Sequence, residues 1–195
     1  MMSKNITITS ERIYDTNNPN LVIMDVIETP LMQKFSEIVT KNGGDILEVG
    51  FGMGISANFI YNSKIDSYTC IEIHPEIYKN ALEWAKDKQN VNIILGDWVD
   101  IILTLTNKFD GIFMDTFEFN NYQKFEEYCK NISNIGCVLS IFDYTTQNNK
   151  SLEFETVEMV NKIDYFKNDN KIINLYYTYF NGESFCRRTK PTSLL

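Results

Sequence analysis

Gly50, Gly52 and Gly54 alternate with Phe51 and Met53, straight after the apolar run Asp45-Ile46-Leu47-Glu48-Val49. Without Cβ atoms a backbone lets a ligand come close, and a helix beginning just beyond it offers free N–H donors. That chemistry suits a nucleotide-like ligand. Acids stand at the ends of the next apolar runs. Glu72 closes Ser67–Ile73, where a carboxylate about 20 residues past the glycines accepts both hydroxyls of a ribose. Asp97 follows the run at 91–96 and precedes Trp98, a place to hold the edge of an adenine, and Asp115 closes the run at 109–115. Glu48 lies inside the first run. A glycine-rich turn without a ligand would carry some of these residues, and a dinucleotide-dependent oxidoreductase shares the glycines and the first acid. The dinucleotide fingerprint is GxGxxG, however, and position 55 is Ile55, with the third glycine at Gly54.

These residues need a scaffold, and the chain alternates in a way that supplies one. Apolar runs at 45–49, 67–73, 91–97, 109–115 and 136–144 read as strands. Helical patterns fall between them: one beginning at 54, one at 75–88 with Pro75 in its first turn, a short one from Trp98, one around 121–133 and one around 151–163. Ahead of them, Glu28-Thr29-Pro30 opens a helix, with Thr29 as its cap, Leu31, Phe35, Ile38 and Val39 on one face, and Gly43-Gly44 ending it. Asn181-Gly182 between 171–180 and 183–190 signals a closing hairpin. Five strand–helix alternations predict a parallel sheet with helices on both faces, and the hairpin adds antiparallel strands. Ligands of such sheets sit beyond the carboxyl ends of the strands.

The 195 residues, 44% hydrophobic and without internal repeats, predict one domain over 1–195, with polar residues 1–20 as a flexible arm or lid. A net charge of −8 argues against a nucleic-acid backbone as main partner and leaves room for cationic ligands, which an acidic surface would attract. No apolar run reaches the roughly 18–20 residues of a membrane span, and the first residues lack a secretory pattern, so the expectation is a cytoplasmic protein. The four cysteines have no CxxC spacing and read as buried free thiols; His74 alone makes no zinc site, so no metal is expected.

Acid-x-GxGxG followed by acids after the second and third strands resembles class I methyltransferases, here Glu48 with Gly50, Gly52 and Gly54, then Glu72, then Asp97. Further segments resemble one branch, the guanidinoacetate N-methyltransferases and the related fungal-type protein arginine N5-methyltransferases. They are Tyr14-Asp15-Thr16, the stretch at 22–32 with its Glu28-Thr29-Pro30, and those at 47–55, 71–78, 96–101 and 109–117. In order, they span over half of the chain. The resemblance implies a Rossmann-like class I methyltransferase fold, a mostly parallel seven-stranded twisted sheet with helices on both faces and a C-terminal antiparallel hairpin. It implies S-adenosylmethionine as cofactor. Phe51, Gly52, Met53, Gly54 and Ile55 would wrap its methionine and ribose; Glu72, Ile73 and His74 would line the ribose; Asp97 and Trp98 would hold the adenine. Glu48 would hold the methionine end through loop contacts, and Met24 and Met32 would pack near the sulfonium. Glu28 and Asp115 would bind the guanidino group, with Tyr144 and Thr145 contacting the rest of the substrate.

Two carboxylates fit that substrate. A guanidinium arrives charged and non-nucleophilic, and its planar fork matches a carboxylate bidentately. One acid, expected to be Asp115, takes a proton as a nitrogen attacks; Glu28 fixes the plane. The creatine-forming enzymes carry a tryptophan where this chain has Ile27, and the segment after Thr116 is short. Both changes bear on the non-guanidino end. The expected substrates are therefore free arginine, an arginine-derived small molecule, guanidinoacetate or arginine in a short peptide. The protein arginine relatives usually carry an N-terminal repeat region, which tilts the expectation here toward a small molecule or short peptide, with the chain a monomer or homodimer. The alternatives are methylation of another amine or amide, and a non-catalytic nucleotide-fold binding module. Retention of Glu28, Glu72, Asp97 and Asp115 together speaks against the module.

Overall fold

A computed structural model describes residues 5–116, 122–146, 171–180 and 185–186, with side chains for 5–116 and 124–142. The first described stretch is not the loose arm that its polarity suggests. It forms an antiparallel sheet of β1 (Ile6–Ile8), β2 (Arg12–Asp15) and β3 (Val22–Asp25), in that order. Two side chains tie this sheet down: Ile13 and Met24 are buried in the core. Asp15 turns the chain between β2 and β3 by accepting from the amides of Asn17 (2.7 Å) and Asn18 (2.8 Å).

A 3-10 turn over Val26–Glu28 leads into α1 (Thr29–Val39). The entry differs from the expected Thr29 cap. Asp25 accepts from the Ile27 amide at 3.0 Å, and Glu28 reaches back to the Asp25 amide at 3.2 Å. This reciprocal box caps the turn, so Glu28 is already fixed as α1 begins, with Pro30 in its first turn. Leu31, Met32, Phe35, Ile38 and Val39 recur at helical spacing and are buried.

The main sheet follows as expected. β4 (Asp45–Val49), β5 (Ser67–Glu72), β6 (Val91–Leu95), β7 (Phe109–Met114) and β8 (Ser133–Thr146) are parallel. Then β9 (Lys171–Phe180) runs antiparallel to β8, and β10 (Phe185–Cys186) antiparallel to β9. The order is β10-β9-β8-β7-β4-β5-β6. Between the parallel strands lie α2 (Ile55–Tyr61), α3 (Pro75–Ala85), α4 (Trp98–Ile101) and α5 (Tyr122–Lys130). The helix expected around 151–163, the turn at 181–184 and Cys186's side chain lie outside the described residues.

Strand alternation sorts the core into two layers. Ile46, Tyr68, Cys70, Phe113, Val138 and Phe142 face α1, α2 and α3, whereas Leu47, Val49, Ile71, Ile112, Met114, Leu139 and Ile141 face α5 and the turn at Ile102. Cys70, Cys129 and Cys137 are buried free thiols. Among the described residues, no helix is long and apolar enough to cross a membrane.

Gly111 lets α1 lie close on the sheet: a Cβ there would come within 2.2 Å of the Val39 carbonyl oxygen. That backbone atom cannot swing aside. Gly111→Ala is expected to destabilise the fold by about 1–3 kcal/mol, the usual cost of overpacking, measured by urea unfolding. Unchanged stability would mean that α1 is not seated by this contact.

Candidate active site

The first strand of a doubly wound sheet has later strands on both sides, and the crevice at its carboxyl end is the usual ligand site. Here that strand is β4, between β5 and β7. The glycine run leaves its end. Gly50 donates to the Ile71 carbonyl at 2.8 Å, and the Asp115 amide donates to the Val49 carbonyl at 2.9 Å. So the loop, the end of β5 and the end of β7 are stitched together by backbone bonds.

Each glycine answers a close approach. All three have positive φ: 94° at Gly50, 54° at Gly52 and 71° at Gly54. A Cβ on Gly50 would lie 1.9 Å from the Asp115 carbonyl oxygen, and on Gly54 it would lie 2.7 Å from the Phe51 ring. Gly52 is different. Its missing Cβ leaves a cradle whose nearest atom is Met24 Sδ, at 2.4 Å from the Cβ position. The same sulfur accepts from the Met53 amide at 3.3 Å. A thioether is a weak acceptor on a flexible stem, so this is where a ligand can take the place of protein atoms.

Glu72 sits at the crevice with both oxygens engaged, accepting from the Phe51 amide (2.8 Å) and the His74 amide (2.7 Å). Burial pushes its carboxyl above the usual range, while the amides of His74, Phe51 and Gly52 pull the other way. His74 Nδ1 accepts from the Glu76 amide at 3.2 Å and caps α3, so its ring serves the helix start. Ile73 projects outward, half exposed. Asp97 caps α4, accepting from the Val99 amide at 3.0 Å. Trp98 packs edge-on against Phe125, with ring centres 5.2 Å apart, and beside Tyr128.

Glu28 and Asp115 are the remaining two acids. Glu28 is buried, 6% exposed, at the start of α1. Asp115 follows the last residue of β7. Its carboxyl is held well above the usual range by burial first, then by the negative charges of Glu28, Glu48 and Glu72. Among those charges Glu28 acts most strongly.

Two residues stand elsewhere than a ligand surface. Met32 is fully buried in the core. Glu48 is fully buried as well, and its two oxygens accept from the hydroxyls of Ser56 and Tyr68. Burial lifts its carboxyl to about 7, the two hydroxyls partly offsetting that rise. Tyr144 and Thr145 lie in β8, in register with Ile173 and Ile172 of β9; their side chains are outside the described part. Ser56 and Tyr68 were not anticipated as site residues. The signal for them was present: an acid within an apolar strand must find donors.

The sequence profile of the guanidinoacetate N-methyltransferase family matches residues 12–148. The chain belongs to this family. Among curated proteins, it is 33% identical over 132 residues to protein arginine N-methyltransferase 2 of Kluyveromyces lactis, covering 63% of this chain and 32% of that protein. It is 37% identical over 123 residues to the protein of the same name from Saccharomyces cerevisiae, covering 58% and 29%. The chain thus spans about a third of the length of the curated relatives it matches. Among solved structures, the O-methyltransferase TomG of Streptomyces achromogenes superposes with a TM-score of 0.53 at 20% identity, covering 65% of this chain and 59% of TomG. Spermidine synthase of Thermotoga maritima gives 0.54 at 11%, covering 73% and 57%. These two likenesses show the fold. The fold is thus the Rossmann-like one, and the family is that of the guanidinoacetate N-methyltransferases.

Glu48 ties this site to pH. The unfolded chain releases that proton near 4.5 and the folded protein near 7. Between those values the folded state holds more protons, so stability falls as pH rises across the window. Acting alone, Glu48 would account for about 3 kcal/mol. Glu72 and Asp115, also raised, act with the same sign. Urea unfolding at pH 5 and pH 7 is expected to show a smaller loss of stability in Glu48→Gln than in the parent protein. Equal losses would show that Glu48 titrates normally.

Proposed function

We propose that this chain transfers a methyl group from S-adenosylmethionine to a guanidino nitrogen. The observation that carries the reading is Asp115 at the carboxyl end of β7, its amide tied to Val49 beside the glycine loop, with the charge of the buried Glu28 acting on its carboxyl. The names of its relatives meet at the same group, guanidinoacetate on one side and protein arginine on the other. Among the described residues no three His, Cys, Asp or Glu side chains are grouped as a metal ion would need.

The cofactor has a fitting cradle in Gly52, the Met53 amide and the displaceable Met24 thioether, with Glu72 beside them. Bound there, it supplies an electrophilic methyl group on its sulfonium. Glu28, held by the Asp25 amide, accepts from one edge of the guanidinium and fixes its plane. Asp115 accepts from another edge. A cation beside a raised carboxyl favours its ionised form, so Asp115 gives up its proton as the guanidinium arrives. It would then take a proton from the attacking nitrogen as the N–C bond forms and the methyl carbon's bond to sulfur breaks, the leaving group being a neutral thioether. Positioning two reactants in line supplies most of the acceleration, and the proton transfer adds about 10²–10⁴-fold.

The substrates that fit are arginine, an arginine-derived small molecule, guanidinoacetate or arginine in a short peptide. With arginine as acceptor, Asp115→Asn is expected to slow methyl transfer by about 10²–10⁴-fold while leaving S-adenosylhomocysteine affinity within about twofold. Glu28→Gln is expected to weaken guanidine binding more than it lowers turnover at saturation. An Asp115→Asn enzyme that binds cofactor and turns over at the parent rate sinks the assignment of the base.

A further inference from the structure

The mechanism leaves the buried carboxyl of Glu48 unused. Glu48 lies one residue before the end of β4, wholly out of water, and a buried acid is retained only where donors meet it. Its donors lie on two different elements. Ser56 is the second residue of α2, two residues past Gly54, which enters that helix in the left-handed conformation with φ 71°. Tyr68 stands on β5, also fully buried, in register with Ile46.

Both donors connect back to the glycine loop. The Tyr68 ring meets Trp84 edge-on with centres 5.5 Å apart, and Trp84 meets the Phe51 ring at 5.5 Å. Phe51 in turn fills the place of a Gly54 side chain. The Ser56 carbonyl also accepts from the Ser36 hydroxyl at 3.2 Å, which ties α2 to α1, the helix that Glu28 opens. The loop is thus held at its bulky residue through Trp84 and Tyr68, and at its helical end through Ser56, with the Glu48 carboxyl as the shared knot. The other ionisable groups acting around that knot are Cys70, Glu72 and Asp115.

We infer that Tyr68 and Ser56 are positioning residues for the cofactor loop, acting through the carboxyl of Glu48. The inference rests on the cofactor reading of the glycine loop. Neither residue reaches a ligand surface: Tyr68 is 0% and Ser56 1% exposed. They act by ordering the loop before the ligand arrives, so less freedom is lost on binding. Removing either hydroxyl lets the start of α2 loosen, and the ligand must then order it.

The test is a double-mutant cycle read by S-adenosylhomocysteine titration calorimetry on the parent protein, Tyr68→Phe, Glu48→Gln and the double variant. Tyr68→Phe is expected to weaken binding about tenfold, a loss of about 1.4 kcal/mol. In the Glu48→Gln background the same change is expected to cost less than about twofold, because the knot is already altered. A folded Tyr68→Phe protein with parent affinity, or equal losses in both backgrounds, overturns the inference. Ser56→Ala repeats the cycle from the helix side and decides the matter if Tyr68→Phe does not fold. A parent protein that binds no S-adenosylhomocysteine overturns the cofactor reading and this inference together; a parent that binds while the variants match it overturns the inference alone.

Discussion

A carboxylate taken out of water must find donors, a cation or a proton. This protein gathers four acids near one end of its sheet, and its local architecture follows from how each is satisfied. Glu48 is met by two hydroxyls, and Glu72 by the amides of the glycine loop and of His74. Glu28 closes a capping box on Asp25. Asp115 is the acid that its surroundings most disfavour in the charged form, with burial and three like charges all acting in one direction. Such an acid beside a crevice supports the proposal that positive charge is received there.

The same crevice explains the glycines without assigning all of them to a ligand. Gly50 clears the Asp115 carbonyl, and Gly54 clears the Phe51 ring. Both serve the protein's own packing, which brings β7 and the loop together. Gly52 alone faces a side chain that can withdraw. The cradle proposed for the cofactor is therefore narrow, one residue wide on the backbone, with Met24 of β3 set against it.

The parallel strands were legible as apolar runs bounded by glycine, proline and acids, because strands buried on both faces leave little room for polar residues. Asn181-Gly182 correctly announced antiparallel strands on either side of it. The strand-end positions of Glu72 and Asp115 were legible for the same reason as the strands. The N-terminal sheet was not. Its strands are only three and four residues long, and they are held by Ile13 and Met24 entering a core that belongs to distant residues. The cap of α1 was placed one step late, since Thr29 masked the reciprocal bonds of Asp25 and Glu28. Tyr68 and Ser56 escaped notice because their meeting at Glu48 depends on the register of β4 with β5 and on the angle at which α2 leaves the loop, neither of which is written in local spacing.

The account turns on one crevice holding a cofactor and a guanidinium side by side. Its most direct measurement is calorimetric titration of S-adenosylhomocysteine into the protein, followed by arginine and then guanidinoacetate into the resulting complex. The account predicts saturable cofactor binding and, after it, a guanidine heat that Glu28→Gln removes. Cofactor binding with no response to either guanidine, or a guanidine heat that survives Glu28→Gln, would contradict it.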